Sequence, residues 1–318
     1  MARSLNVQIS ARAAILARHL IQLILGALSE SSERSFMLNI NMEKVADIIT
    51  DVADSQIIPR FGKLCAQDIH FKSKDNPVTI ADKEAEKELS TRLLDLLVGS
   101  KVVGEEAFDK DQSISDRFSG DSPVWIIDPV DGTKPFIAGE PFYGVIVSLA
   151  EQNQVIASWL YDPTSKEFIT AQKCAGAYYK GRKLSVLPAD SVENMSGILG
   201  WRIHNSFEKK GVFLSSQSTP SIDRMYSSCH DYARLVVDGP HFSGQTTQVH
   251  FHSLLQTCTP WDCSAGVLIH SEAGGYTSHW NGKAFSPSHY GRGLLSAPSE
   301  ESWHEIKNWL SSCCVFPE

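Results

Sequence analysis

The sequence predicts a layered fold of mixed strands and helices, α/β or α+β. Three observations predict it. Apolar residues follow helical spacing in one stretch (Val45, Ile48, Ile49, Val52) and form a short buried run in another (Val124-Trp125-Ile126-Ile127). Strand-like and helix-like segments alternate through both halves, with no internal repeat and no low-complexity tract. The chain has 318 residues, 42% of them apolar and 21% charged, enough for a substantial core without staples.

The elements follow in order. Residues 1–41 read as an N-terminal extension. Its apolar stretch 15–28 is interrupted by Arg18 and His19, too short to span a bilayer, and no small-residue cleavage site follows cleanly. It reads as an extra amphipathic helix, or as a start placed upstream of Met37 or Met42. Residues 43–58 read as an amphipathic helix ended near Pro59, and 80–98 as a second, with Ala85, Leu89 and Leu93 on one face. A short strand at 101–103 precedes Gly104-Glu105-Glu106. Residues 107–122 read as a polar surface loop. The strand at 124–127 runs straight into Asp128-Pro129-Val130-Asp131-Gly132-Thr133. Strands are expected at 144–150, 154–161 and 167–171, and a hairpin turn at 178–184. The second half predicts a strand near 197–200, a helix near 224–238 and a strand near 247–251. A helix from Trp261-Asp262 to Gly274-Gly275 follows, then strands near 276–280 and 293–296 and a last helix over 301–312. A composition shift near 190 divides the core into an N-terminal α+β part, 42–190, and a C-terminal α/β part, 191–318.

Charge and cysteines narrow the function classes. Lys plus Arg number 29 and Asp plus Glu 37, a formal charge of −8. Such a chain has no general attraction for nucleic acid polymers or anionic membranes. The cysteine count, 7, is odd, and no C-x-x-C occurs. Secreted disulfide frameworks and zinc ribbons fit poorly, and a reducing cytoplasm is the simpler setting. P-loop, dinucleotide, nucleophile-elbow and zincin motifs are all absent.

What remains is carboxylate chemistry. Asp128 and Asp131 leave the end of a hydrophobic strand, with Pro129 stiffening the turn and Gly132 permitting tight geometry. Such a turn can point two carboxylates and the Val130 carbonyl at one place, hard oxygen ligands of the kind Mg2+ takes. Gly132-Thr133 can open a helix whose free N–H groups meet an anion. Asp-Pro and Asp-Gly are also ordinary turn dipeptides. Glu105-Glu106 reads alone as a solvated acidic pair, Asp262 as a first-turn helix acid, and Thr79-Ile-Ala-Asp82 as a capping box. His250 and His252 alternate along a strand, but no third ligand supports zinc.

Order and company make these pieces a joint signal. An acid after one strand, Trp125-Ile-Ile-Asp-Pro-Val-Asp-Gly-Thr133 on the next, and Trp261-Asp262 opening a helix that ends in Ala273-Gly-Gly275 together resemble the inositol monophosphatase superfamily. Those proteins are Mg2+-dependent, lithium-sensitive phosphomonoesterases. The resemblance covers the chain from about residue 43 onward. It implies the layered α-β-α-β-α sandwich of the inositol monophosphatase/fructose-1,6-bisphosphatase type, two or three Mg2+ ions, a small phosphorylated metabolite as substrate and a homodimer. It implies that Glu105, Asp128, the Val130 carbonyl, Asp131 and Asp262 bind metal. Asp82 and Thr133 would orient and activate the attacking water, and the Gly132 and Thr133 N–H groups would hold the phosphate.

The alcohol-binding half departs from inositol-specific members. Their signature continues Thr-Asn-Phe. Here Lys134-Pro135-Phe136-Ile137-Ala138-Gly139-Glu140-Pro141 is similar to the histidinol-phosphatase branch, and its Lys-x-Phe-Ile part also to bisphosphate nucleotidases. Ungapped counting puts Leu255 where inositol enzymes carry a substrate-contacting acid. Ser227-Ser228-Cys229-His230 matches the family's Gly-Ser-Ala-Ala segment loosely. The chain therefore reads as a phosphatase for a leaving group other than inositol, or as an idle relative that binds a phosphorylated ligand.

Overall fold

Helical periodicity at the start of the core becomes α1, Met42–Val52, with Val45, Ile48, Ile49 and Val52 buried. The computed structural model describes residues 40–210, 220–224, 227–239, 242, 247–289 and 291–313, so the apolar stretch 15–28 lies outside the described residues. After α1 the helix loosens to π geometry at Ala53–Ile57 and tightens to 3-10 at Ile58–Arg60, where Pro59 removes an N–H donor. A hairpin follows, β1 (Ile69–Ser73) with β2 (Asn76–Thr79). Then come α2 (Ile80–Leu96), β3 (Lys101–Gly104), α3 (Glu105–Lys110), β4 (Val124–Asp131) and α4 (Thr133–Ala138). Strands β5 (Gly144–Glu151), β6 (Gln154–Asp162), β7 (Glu167–Gln172), β8 (Gly176–Tyr179) and β9 (Arg182–Lys183) form a meander. Its last turn takes Lys180 and Gly181 at positive φ, 50° and 75°, as a tight hairpin requires. The rest is β10 (Ser196–Leu199), α5 (Trp201–Lys210), β11 (Ser221–Arg224), α6 (Ser228–Arg234), β12 (Phe251–Thr257), α7 (Pro260–Glu272), β13 (Tyr276–His279), β14 (Arg292–Ala297) and α8 (Glu300–Cys313).

The strands make two main sheets. Seven run in the order β3-β4-β5-β6-β7-β8-β9, with only β3 and β4 parallel. Five run β11-β10-β12-β14-β13, with β10 parallel to both its neighbours. The chain leaves the first sheet at Lys183 and enters the second at Ser196.

Burial explains the stacking. Every residue of β4 is buried, and nearly every residue of β5, so both faces of the larger sheet are covered. Helix α2 lies against β3 and β4, while α7 crosses β4 through β8 and also touches β13. Between the sheets, Ile146, Leu160 and Ile169 meet Tyr232 and Ala233 of α6, Ala265 and Ile269 of α7, and Ile198 of the smaller sheet. Beyond that sheet, Leu199, Phe251 and Leu295 pack on Ile203 and Phe207 of α5 and on Trp303, Ile306 and Leu310 of α8. The layers are thus helix, sheet, helix, sheet, helix, the expected sandwich, and residues 43–318 form one compact unit.

Several expected elements differ. Residues 107–122 are not a loop: they hold α3 and a 3-10 helix, Gln112–Ser119, because Ile114 and Phe118 insert beside Val124 and Ile126. The helix expected at 224–238 is confined to α6, capped by Ser227 and preceded by β11. The strand expected at 247–251 begins only at Phe251 and runs on to Thr257. Helix α5 was not expected, and its buried anchors are Ile203 and Phe207, four residues apart on one face. Among the described residues, no helix is long and apolar enough to cross a membrane.

Candidate metal and phosphate centre

Residues three apart on a regular strand point to opposite faces. Asp128 and Asp131 escape this rule because β4 is irregular between them. Asp128 pairs with Ile146 and Asp131 with Gly144, three steps on one strand against two on the other. Pro129 sits inside the irregularity, where a missing N–H costs no ladder bond. Both carboxylates then converge on Asp262, in the first turn of α7 behind Thr259 and Pro260. One oxygen from each of the three lies within 4.8 Å of the others. Asp128 and Asp131 are buried, Asp262 is half-buried, and Asp128 Oδ1 has no hydrogen-bond partner.

Each acid is held. Asp131 accepts the Cys229 N–H at 2.7 Å and the Ser228 N–H at 3.2 Å, both from the start of α6. The Thr259 hydroxyl donates to Asp262. Asp82 completes the expected capping box, accepting the Thr79 N–H at 2.8 Å and the Thr79 hydroxyl on Oδ2. Its other oxygen, Oδ1, lies 3.2 Å from Thr133 Oγ1, which is also 3.1 Å from the Val130 carbonyl oxygen. Capping and a place in the site are therefore the same geometry. Gly132 caps α4 at φ 83°. A Cβ there would come within 2.5 Å of the Phe142 carbonyl oxygen, so only glycine fits.

Glu105 opens α3 and is not one of the three converging acids. Its charge nonetheless raises Asp82, Asp128, Asp131 and Asp262 together, so it stands beside all four. Lys72, from the hairpin, reaches Glu105 at 2.9 Å and Glu106 at 2.6 Å with its side chain almost fully covered. Burial pulls the Lys72 ammonium down, but the two carboxylates outweigh it and hold it above the ordinary lysine range. Behind α3, Glu86 accepts the Glu106 N–H at 2.7 Å and the Ala107 N–H at 2.8 Å, capping the helix that carries Glu105. A Cβ on Gly104 would lie 2.4 Å from the Glu86 carboxyl carbon.

Desolvation dominates the electrostatics. It pushes Asp82 up to about 6 against the Thr79 hydrogen bonds, and Asp131 to about 6 against the Cys229 and Ser228 amides. Desolvation, then Asp131 and Glu105, lift Asp262 to about 7. Asp128 is raised well above the carboxylate range by burial and by four neighbouring acids. Burial likewise lifts Glu86 and Glu106 to about 7. A cluster like this wants cations: clustered oxygens without positive charge retain protons instead.

Sequence reasoning found the acids and missed Lys72, Glu86 and the Ser227–His230 contact. The first had a faint signal, a lysine on a hairpin two strands before the acids. The second stands four residues after Asp82 on one helix face. Leu255 does not face the carboxylates. It packs against the outer core cluster that holds Phe251 and Trp303. The two histidines go separate ways. The His252 ring stacks edge-on against Tyr232 at 5.1 Å, and His250 Nδ1 lies 3.1 Å from the Ser196 amide nitrogen.

Comparison with known proteins gives the family and the fold. The family model for the inositol monophosphatase family matches residues 37–311. A histidinol-phosphatase of Chlorobaculum parvum is 28% identical over 258 residues, 78% of this chain and 89% of the relative. An inositol monophosphatase of Dictyostelium discoideum is 26% identical over 246 residues, 74% of this chain and 82% of the relative. Among solved structures, an IMPase of Thermotoga maritima superposes with a TM-score of 0.68 at 21% identity, covering 85% of this chain and 98% of that one. At that identity the last likeness concerns the fold alone.

Proposed function

The chain belongs to the inositol monophosphatase family, and on that footing we propose that it is a Mg2+-dependent phosphomonoesterase acting on a small phosphorylated metabolite. The observation that carries the reading is the convergence of Asp128, Asp131 and Asp262 within 4.8 Å, beside the Thr133–Asp82 contact. The donor set fits a hard divalent cation: carboxylate oxygens, one of them buried without a partner, at the end of a strand and the start of a helix. Asp128, Asp131 and Asp262 would hold the ions, with Glu105 and the Val130 carbonyl completing the ligand set. When bound, Mg2+ supplies the positive field that admits a phosphate and a lowered pKa for a coordinated water.

The chain's own residues do the rest. Thr133 Oγ1 stands between the Asp82 carboxylate and the Val130 carbonyl. It can hand its proton to Asp82 and accept one from water, orienting that water toward phosphorus. The Gly132 and Thr133 amides, at the opening of α4, would meet the phosphate oxygens. Trp261, packed at 4.9 Å on Phe108, fixes the turn that places Asp262.

The same proposal includes two or three ions, inhibition by Li+, a cytoplasmic setting and a homodimer, all supported by family membership. Histidinol phosphate leads the substrate panel, because the Lys134 to Pro141 segment is of that branch's type and a histidinol-phosphatase is among the relatives. The panel adds inositol 1-phosphate and a 3′,5′-bisphosphonucleoside. Phosphate release from at least one of the three, dependent on Mg2+ and lost in EDTA, is expected. Binding of these esters without turnover would replace the enzyme by a phospho-ligand-binding regulator.

A further inference from the structure

We propose that Trp201 is a stacking platform for the leaving group, so that the substrate is a phosphate ester carrying a planar heteroaromatic ring. The inference rests on the phosphatase reading of the carboxylate site. Its first support is topology. In the smaller sheet β10 runs parallel to β12, with Leu199 opposite Ser253. The chain leaves β10 for α5, whose Ile203 and Phe207 pack in the outer core. It leaves β12 for α7, whose Ala265 and Ile269 pack between the sheets. Adjacent parallel strands whose following helices lie on opposite faces open a crevice at their carboxyl ends, where open α/β sheets bind ligands. Asp262 stands on the β12 side of this crevice and Trp201 on the β10 side.

The other neighbour of β10 leads to the same place. Leu199 lies opposite Arg224 of β11 in parallel register, and just beyond Arg224 the Ser228 amide meets Asp131 at 3.2 Å. Gly200 is pinned on both sides. Its N–H donates to the Ser253 carbonyl at 2.8 Å, and its own carbonyl accepts the Ile203 and His204 amides at 2.9 and 3.1 Å, which starts α5. Trp201 is therefore the first residue of an anchored helix. Helical side chains tilt toward the helix N-terminus, so the indole leans over the carboxyl edge of the sheet. Strand β12 runs on from Ser253 to Thr257, roughly 13 Å, before the turn that carries Asp262. That is the span of a phosphate ester with one ring.

The side chain fits the role. Of the chain's 7 tryptophans only Trp201 is exposed, at 55%. The Arg202 guanidinium lies over its ring, 5.3 Å from the centre, and steadies the indole from one face. The other face remains for a flat π-system. An indole stacks well on an aromatic ring and offers little to a polyol, whose hydroxyls need polar partners. Leu255, packed against the same outer cluster as Ile203, is likewise apolar. Histidinol phosphate and a 3′,5′-bisphosphonucleoside carry such a ring, and inositol 1-phosphate does not.

The test compares Trp201→Ala and Trp201→Phe with the unaltered full chain on these three esters in Mg2+. Where phosphate is released the readout is kcat/KM, and where it is not, the dissociation constant from calorimetry. The unaltered chain should favour at least one ring ester over inositol 1-phosphate. That preference should fall about tenfold in the alanine variant and stay within about twofold in the phenylalanine variant, which keeps a stacking ring. Melting in EDTA reads any loss of fold separately. If the alanine variant does not fold, Trp201→Gln, which keeps bulk without the ring, takes its place. An unchanged preference in the folded ringless variant, or a preference of the unaltered chain for inositol 1-phosphate, overturns the platform and leaves the phosphatase reading standing. Neither turnover nor binding of any of the three esters overturns both.

Discussion

Asp128 shares a buried space with Asp131, Asp262, Glu105 and Asp82, and every one of them raises its pKa on top of burial. Without metal this acid works against the fold; with metal it would bridge what the others hold. Asp128→Asn should therefore move two observables in opposite directions. Phosphatase activity with Mg2+ should fall by at least about a thousandfold, since the ion supplies several kcal/mol to the transition state. The melting temperature in EDTA near pH 8 should rise, because one buried negative charge is gone. A variant that loses activity and is also less stable in EDTA would mean that Asp128 is an ordinary structural acid. The carboxylates were legible in the sequence because the chemistry needs acids at a strand end and a helix start, and both contexts have sequence patterns. Lys72 and Glu86 were not, because each acts across a long sequence distance: Lys72 reaches 33 residues ahead to Glu105 and Glu86 reaches 20 ahead to Glu106.

At the scale of elements, α3 shows how a short helix is made to hold a functional acid. It has six residues and no side-chain cap of its own. Glu86 of α2 supplies the missing acceptor for two N–H groups and fits only because residue 104 lacks a Cβ. Gly104→Ala should push the Glu86 carboxylate off the helix start. The expected result is a loss of about 1–3 kcal/mol in urea unfolding, as for overpacked cores, together with weaker Mg2+ dependence as Glu105 swings. Unchanged stability and unchanged Mg2+ half-saturation would show that Glu86 does not hold α3. Elements with their own periodicity, such as α1, β4 and α7, were readable from sequence. Elements made by their neighbours were not. Strand β11 is four residues paired in parallel to β10, with Asp223 bridged to Arg234 of α6 at 2.8 Å, and nothing in Ser-Ile-Asp-Arg announces a strand.

For the whole molecule, the formal charge of −8 hides an internal concentration of acid that makes stability depend on pH. Glu86, Glu106 and Asp262 are raised to about 7, and Asp82 and Asp131 to about 6, from ordinary values near 4. The native state then binds more protons than the unfolded chain, so stability falls as pH rises through the native values. Buried histidines act with the opposite sign. Desolvation lowers His230 and His252 to about 4 and His270 to about 3, so acidification below about 6.5 favours the unfolded chain, where these rings take up protons. The two groups oppose each other below pH 6.5 and leave the acids alone above it. In EDTA, the melting temperature should decline from pH 6.5 to 8. Bound Mg2+ would replace the protons that its ligand carboxylates among these, Asp131 and Asp262, release, and a ligand at a hundred times its dissociation constant stabilises by about 2.7 kcal/mol. Melting curves in EDTA and in saturating Mg2+ should therefore diverge with rising pH, nearly meeting at 5.5 and farthest apart at 8. Parallel curves would mean that the cation binds away from the titrating cluster, and an EDTA curve that rises between 6.5 and 8 would mean that the buried acids are already ionised in the folded chain.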